Sequence, residues 1–255
     1  MFELLQQFLK TLKSDLDVDY IETILNEIEC FPAGGNIYDT NFSKLPNETQ
    51  EIVFQYMRKK AELQLKEVFK TLKFDLNDPN LSDTDSIGTP ARFIKVITGN
   101  SLECDDELMC GRYARAPKLA KFPNNGERFP ITKRVDITSV CSHHLLPYGT
   151  LLNENSFAII SYIPNEYVLG ISKLQRYVDW VSRRPTIQED LTKLLHNTIK
   201  DITESDSVYV GLFNLTHTCE RLRGSKSSEG VFTTEYYTGK FNDLNVRNSI
   251  IQGVR

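Results

Sequence analysis

The stretch Val208-Tyr-Val-Gly-Leu-Phe-Asn-Leu-Thr-His-Thr-Cys219 constrains the fold more than any other. Its apolar residues fall at odd and even positions alike, so a strand over 208–219 is apolar on both faces and belongs in the middle of a sheet. Val135–Cys141, Phe157–Ile163 and Val231–Tyr237 alternate or run apolar in strand fashion as well. Ile171, Leu174, Val178 and Val181 make one stripe of a helix over 171–183, and Pro185 opens a second helix that turns Ile187, Leu191, Leu194 and Ile202 inward. Two strands, two helices and two strands predict an α+β layer arrangement.

Residues 1–75 have a different period. Leu4, Leu5, Phe8 and Leu12 recur at helical spacing, as do Ile21, Ile24, Leu25 and Ile28, and a longer helix is expected from about Glu48 to Leu72. FPAGGN at 31–36 is a loop, and the Asp-, Asn- and Ser-rich run 75–86 is a linker. Pro90 in Gly88-Thr-Pro-Ala-Arg92 starts another helix, and 99–130 reads as a long surface loop. The expected organisation is a helical N-terminal extension over 1–75, a main domain over 76–242 and a C-terminal tail over 243–255.

The 30 basic and 34 acidic residues leave a net charge of −4. Nothing global therefore draws nucleic acid or an anionic membrane, and an anionic substrate needs a local basic cluster. No apolar run approaches the roughly 20 residues of a membrane span. The amphipathic start MFELLQQFLKTLKSDLD is not a secretory signal, so the expected location is the cytoplasm. Five cysteines, an odd number, argue against a disulfide framework, and the Asn47 sequon carries no meaning inside the cell.

Three of the four histidines lie within three residues of a cysteine, in Cys141-Ser-His-His144 and His217-Thr-Cys219. Thiolate sulfur and imidazole nitrogen suit a tetrahedral Zn²⁺. On a strand, His217 and Cys219 would project to the same side and meet the first pair. Cys141, His144 and Cys219 would give three ligands and an open position, leaving His143 and His217 to move protons. A closed structural zinc that also uses His217 is the rival reading. Cys30, Cys104, Cys110 and His196 have no partner at ligand spacing and read as structural.

Ser139-Val-Cys-Ser-His-His-Leu-Leu-Pro-Tyr148 resembles the zinc motif of the GTP cyclohydrolase I family. Leu169-Gly-Ile-Ser-Lys-Leu-Gln-Arg176, Ser182-Arg-Arg-Pro, Gln188-Glu-Asp-Leu-Thr192, Thr216-His-Thr-Cys-Glu-Arg-Leu-Arg-Gly224 and Thr89-Pro-Ala-Arg92 are similar to further family motifs, in the same order. The resemblance covers about residues 65–240. It implies a tunnelling fold, an antiparallel sheet backed by two helices, assembled into a ring-shaped homodecamer with active sites between subunits. It implies zinc on Cys141, His144 and Cys219, and proton transfer by His143 and His217. Glu189, aided by Gln188, would hold the guanine edge, and Ser172 would work near the ribose. Lys173, Arg176 and Arg223 would bind the triphosphate, with Arg92 from a neighbouring subunit. The residues agree in part: Lys173 and Arg176 share a helix face and supply the local basic cluster.

The implied reaction opens the imidazole ring of GTP, releases formate and recloses the ring to dihydroneopterin triphosphate. Two residues depart from the family pattern. Ser142 stands where a Glu is usual, and Glu220 replaces an apolar residue, so altered rate or regulation is expected. Two rival readings exist: a nitrile reductase of the queuosine pathway, whose zinc-free catalytic cysteine does not match the Cys/His/Cys set, and a non-catalytic zinc-stabilised ring that binds a purine or a partner protein.

Overall fold

The structure is a computed structural model that describes residues 1–82, 88–126, 128–222 and 229–254. The chain forms two compact units, Met1–Arg115 and Ala116–Arg255.

The first unit is helical: α1 (Phe2–Thr11), α2 (Val18–Glu27), α3 (Asn47–Thr71) and α4 (Gly88–Thr98). The Asp17 carboxylate starts α2 by accepting the Tyr20 backbone N–H at 2.7 Å, and its apolar stripe buries Val18, Ile21 and Ile24. These meet Leu5 and Leu9 of α1 and Val53, Phe54 and Tyr56 of α3 in one core. Segment 99–115 departs from the surface loop read in the sequence, because it contributes to the interior. Leu102, Cys110 and Ala114 are fully buried there, and the Asn36 amide donates to the Gly111 and Ala114 carbonyls at 2.7 and 2.9 Å.

In the second unit, β2 (Ile131–Val135), β5 (Phe157–Tyr162), β7 (Val208–Leu215) and β8 (Phe232–Tyr237) form an antiparallel sheet in that spatial order. Two small antiparallel pairs flank it: β1 (Lys121–Pro123) with β6 (Tyr167–Leu169), and β3 (Thr138–Val140) with β4 (Pro147–Gly149). Helices α5 (Ile171–Ser182) and α6 (Gln188–Thr203) cover one face. Leu174, Val178, Leu191, Leu195 and Ile199 there meet Ala158, Ile160, Val208, Val210 and Leu212. The other face holds Phe157, Ile159, Tyr209 and Phe213 against Phe241 and Ile250. Ile250 belongs to α8 (Leu244–Val254), which lies within the residues read as a tail. Cover on both faces is why β5 and β7 are apolar on both sides, with Ser161 and Asn214 the exceptions. The expected α+β architecture, a sheet backed by two helices behind N-terminal helices, is present.

Two boundaries differ from the sequence reading. The run 135–141 breaks between β2 and β3. The strand expected to reach Cys219 ends at Leu215, because Asn214 takes φ +57° and shifts the register with β8 between Leu212 and Leu215. Beyond it, His217 bridges to Tyr148 of β4, and Thr218–Leu222 wind into a short helix, α7. Strand alternation therefore does not place His217 and Cys219; a strand-to-helix turn does.

Candidate active site

Four segments converge at the end of β7. Leu145 closes a turn over Ser142–His144 in the left-handed region (φ +54°), donating its N–H to the Cys141 carbonyl at 2.8 Å. The Cys141 N–H donates to the Leu146 carbonyl at 2.9 Å, so that cysteine is bracketed on both sides. Gly149 then lets the hairpin lie against β7: its N–H donates to the Thr216 carbonyl at 3.1 Å. Its φ is +102°, and a Cβ there would stand 2.1 Å from the Ile137 carbonyl oxygen. On the β7 side, the Thr218 hydroxyl donates to the Pro147 carbonyl at 2.6 Å, pinning the start of α7 to β4. The first turn of α6 supplies the fourth wall.

Between them lies a cavity of about 410 Å³, lined by Cys141, Ile187, Gln188, Glu189, His217, Cys219, Glu220, Phe232, Thr233 and Thr234. The best-defined group in it is His217. Its ring stacks on Tyr148 at 4.5 Å with an 11° interplanar angle, and the edge of Phe232 closes the other side at 5.3 Å. Nε2 lies 2.8 Å from Gln188 Oε1. The Gln188 amide donates through Nε2 to the Thr234 hydroxyl at 3.1 Å, which leaves Oε1 as acceptor. The proton of a neutral His217 then sits on Nε2, and Nδ1 keeps its lone pair. Burial holds His217 below the ordinary histidine range, with Glu189 and Glu220 opposing the shift. Burial also raises the Tyr148 phenol to about 12, keeping the stacking partner neutral.

The two sulfurs face the same cavity. Burial, and then the adjacent Cys141 sulfur, push the Cys219 thiol up. A thiol that resists ionising beside a second sulfur is what a divalent cation relieves, because it stabilises the thiolates that ligate it. The donor chemistry thus fits zinc at these two residues. His143 Nδ1 lies 3.9 Å from Cys141 Sγ, and the His143 and His144 rings are exposed, 6.3 Å apart. Among the described residues, no three Cys, His, Asp or Glu side chains are gathered closely enough to hold a metal.

Cys141, Gln188, Glu189, His217 and Cys219 thus share one cavity, with Glu189 exposed at its mouth. Ser172, Lys173 and Arg176 sit on the first turns of α5 and are not among the cavity's lining residues; Ser172 and Arg176 are exposed. Arg92 is exposed on α4 in the first unit, and Arg223 falls outside the described residues. His196 is buried under β8 and bonds Thr238 at 3.2 Å, the structural role expected of it. Sequence reasoning missed the Tyr148 stack and the Thr234 relay, and it singled out Glu220 only as a departure. Glu220 Oε2 is buried and has no hydrogen-bond partner among the described residues, and the carboxylate presses on Gly230 so closely that a Cβ there would come within 2.6 Å.

An α+β unit that sets an imidazole of fixed tautomer beside two thiols in one cavity has the make-up of an enzyme. The GTP cyclohydrolase I family model matches residues 61–255, and the chain belongs to that family. It is 30% identical to GTP cyclohydrolase 1 of Haemophilus influenzae over 213 residues, 82% of this chain and 85% of the relative. It is 31% identical to that of Vibrio cholerae serotype O1 over 203 residues, 78% and 84% of the two chains. Among solved structures, the apo archaeosine synthase QueF-Like superposes over 46% of this chain and 97% of its own, with TM-score 0.32 and 17% identity.

Proposed function

We propose that this chain hydrolyses the guanine imidazole ring of GTP, releasing C8 as formate and yielding 7,8-dihydroneopterin triphosphate, the entry to pterin and folate synthesis. The observation that carries the reading is the His217–Gln188 hydrogen bond of 2.8 Å in a cavity shared with Cys141 and Cys219. An imidazole of fixed tautomer in that cavity supports a role as proton partner to a ring nitrogen of the substrate.

Zinc would be held by Cys141, Cys219 and His144, and when bound it supplies a Lewis acid and a water of lowered pKa. The remaining roles fall to the chain's own groups. Glu189, at the start of α6, accepts the N1–H and amino donors of guanine, which orients the purine. Gln188 serves His217, holding its proton on Nε2 so that Nδ1 faces the ligand as acceptor. His143, beside Cys141, is the second proton carrier. Ser172 acts near the ribose. Lys173 and Arg176, three residues apart on α5, take the triphosphate together with Arg223. Arg92 would come from a neighbouring copy, which makes the working form a ring, a homodecamer, in the cytoplasm.

The test is direct. Purified, zinc-loaded chain incubated with GTP should release formate and a product that fluoresces as a pterin after oxidation, and a chelator should stop both. Zinc-loaded protein that forms neither product would overturn the proposal.

A further inference from the structure

A second sulfur pair lies in the first unit, apart from the residues discussed above. The sulfurs of Cys104 and Cys110 are 2.8 Å apart, both as thiols. Their meeting is built into the backbone. After α4 the chain turns at Gly99 (φ +76°), where a Cβ would stand 2.7 Å from Asp105 Oδ1 and 3.0 Å from the Cys110 Cβ, so only glycine fits. The Asp105 carboxylate accepts the Asn100 N–H at 2.6 Å, folding the loop back on itself. Arg115 N–H to Leu102 at 2.7 Å, Cys110 N–H to Glu107 at 3.3 Å and Met109 N–H to Val96 at 3.3 Å fix the segment on both sides of each sulfur. Lys95 of α4 pairs with Glu107 at 3.3 Å.

Exposure divides the pair. Cys104 is partly exposed and Cys110 is fully buried behind it. No third ligand completes a metal site among the described residues. The separation exceeds the covalent length of about 2.05 Å by roughly 0.75 Å, a gap that small side-chain adjustments close. Surface-accessible and shielded thiols in contact are the arrangement in which the first sulfur is oxidised and the second resolves it.

We infer that Cys104 and Cys110 form a redox modification site that closes to an intramolecular disulfide. With a low-molecular-weight disulfide such as oxidised glutathione as oxidant, the Cys104 thiolate attacks one sulfur of the oxidant. A mixed disulfide forms and one glutathione thiolate leaves. The Cys110 thiol gives up its proton and attacks the Cys104 sulfur, expelling the second glutathione. The protein loses two electrons and two protons; the oxidant gains both and becomes two thiols. The product ties the segment 104–110 into a ring against the end of α4, and a thiol reductant reverses it.

The test uses the full chain, loaded with zinc so that Cys141 and Cys219 are engaged. After exposure to oxidised glutathione, remaining thiols are alkylated and the digest is mapped by mass spectrometry. The expected result is a Cys104–Cys110 cross-link, about 2 Da lighter than the two thiol peptides together, lost again on adding dithiothreitol. Exposed Cys30 is the internal control: it should carry glutathione, showing that oxidant was active. In Cys110→Ser, Cys104 should stall as the glutathione adduct; in Cys104→Ser, Cys110 should stay unmodified. Glutathione on Cys30 with Cys104 and Cys110 both alkylated in the wild-type chain would overturn the inference, as would a wild-type chain whose Cys104 stops at the mixed disulfide. Neither outcome bears on the proposed activity, which is read from formate and pterin.

Discussion

Cys141 and Cys219 reach one another from distant segments, across a cavity that also holds His217, Gln188 and Glu189. Cys104 and Cys110 meet inside one loop, held by its own backbone, one of them with no exposed surface. The two pairs share an element and a proximity but little else. In the first, a turn, a hairpin and a helical turn keep the sulfurs at the wall of an open space with imidazoles nearby, the donors of the proposed zinc site. In the second, the sulfurs have each other at 2.8 Å within a single loop, the arrangement from which the proposed oxidation starts. Surroundings decide what two thiols are for.

Substitution can break this contrast. The largest effect belongs to Cys219→Ala, which should remove bound zinc and drop formate release to the uncatalysed background, whereas Cys104→Ser should leave zinc content and turnover as they are. Elemental analysis alongside the formate assay decides it; zinc retained in Cys219→Ala would erase the distinction. Next comes Gln188→Leu. Deprived of its acceptor, His217 loses its fixed tautomer, and kcat should fall about 10- to 100-fold, the range for groups that orient catalytic ligands, while zinc content stays constant. A fall in zinc would instead mark Gln188 as part of the metal's support.

Cys110→Ala tests whether the second pair also packs. Removing a fully buried sulfur should destabilise by about 1 kcal/mol, or about 2–4 °C in Tm for a chain of this size, with turnover unchanged. The smallest effect concerns His196, which belongs to neither pair. Burial lowers its pKa from the ordinary 6.5. Below about pH 6.5 the unfolded chain therefore binds a proton that the folded chain resists. The stabilisation is present above that pH and is lost as pH falls through the lowered folded value. Denaturation midpoints measured across this window should decline less steeply in His196→Gln than in the parent chain.

The sheet was legible because burial on both faces writes itself into composition: Val208–Leu212 has no polar position to misread. The end of that strand was not, because Thr216, His217 and Thr218 suit a strand by pattern, while the left-handed Asn214 shifts the register with β8 just before the strand ends at Leu215. The interior role of 99–115 was hidden for a related reason. Leu102, Met109 and Cys110 are separated by Glu103, Asp105, Asp106 and Glu107, so no period announces them. At the site, spacing alone brought Cys141, His217 and Cys219 into one reading. The partnership of His217 with Gln188 could not be found that way, since it depends on where α6 begins relative to the end of β7. The oxidisable pair was passed over because the ligand-spacing rule asks about metals, and a loop that folds back on itself obeys no spacing rule.

The irregularity at Asn214 also makes chain length non-negotiable at one place. Along a regular ladder, adding or removing one residue reverses the inside-outside parity of everything downstream. Here one such step is already built in, between Leu212 and Leu215, just ahead of the turn that carries His217. Excising Asn214 would therefore even the register with β8 and, by pulling the following turn one residue back, move the imidazole off Gln188: a chain with a more regular strand and a displaced His217.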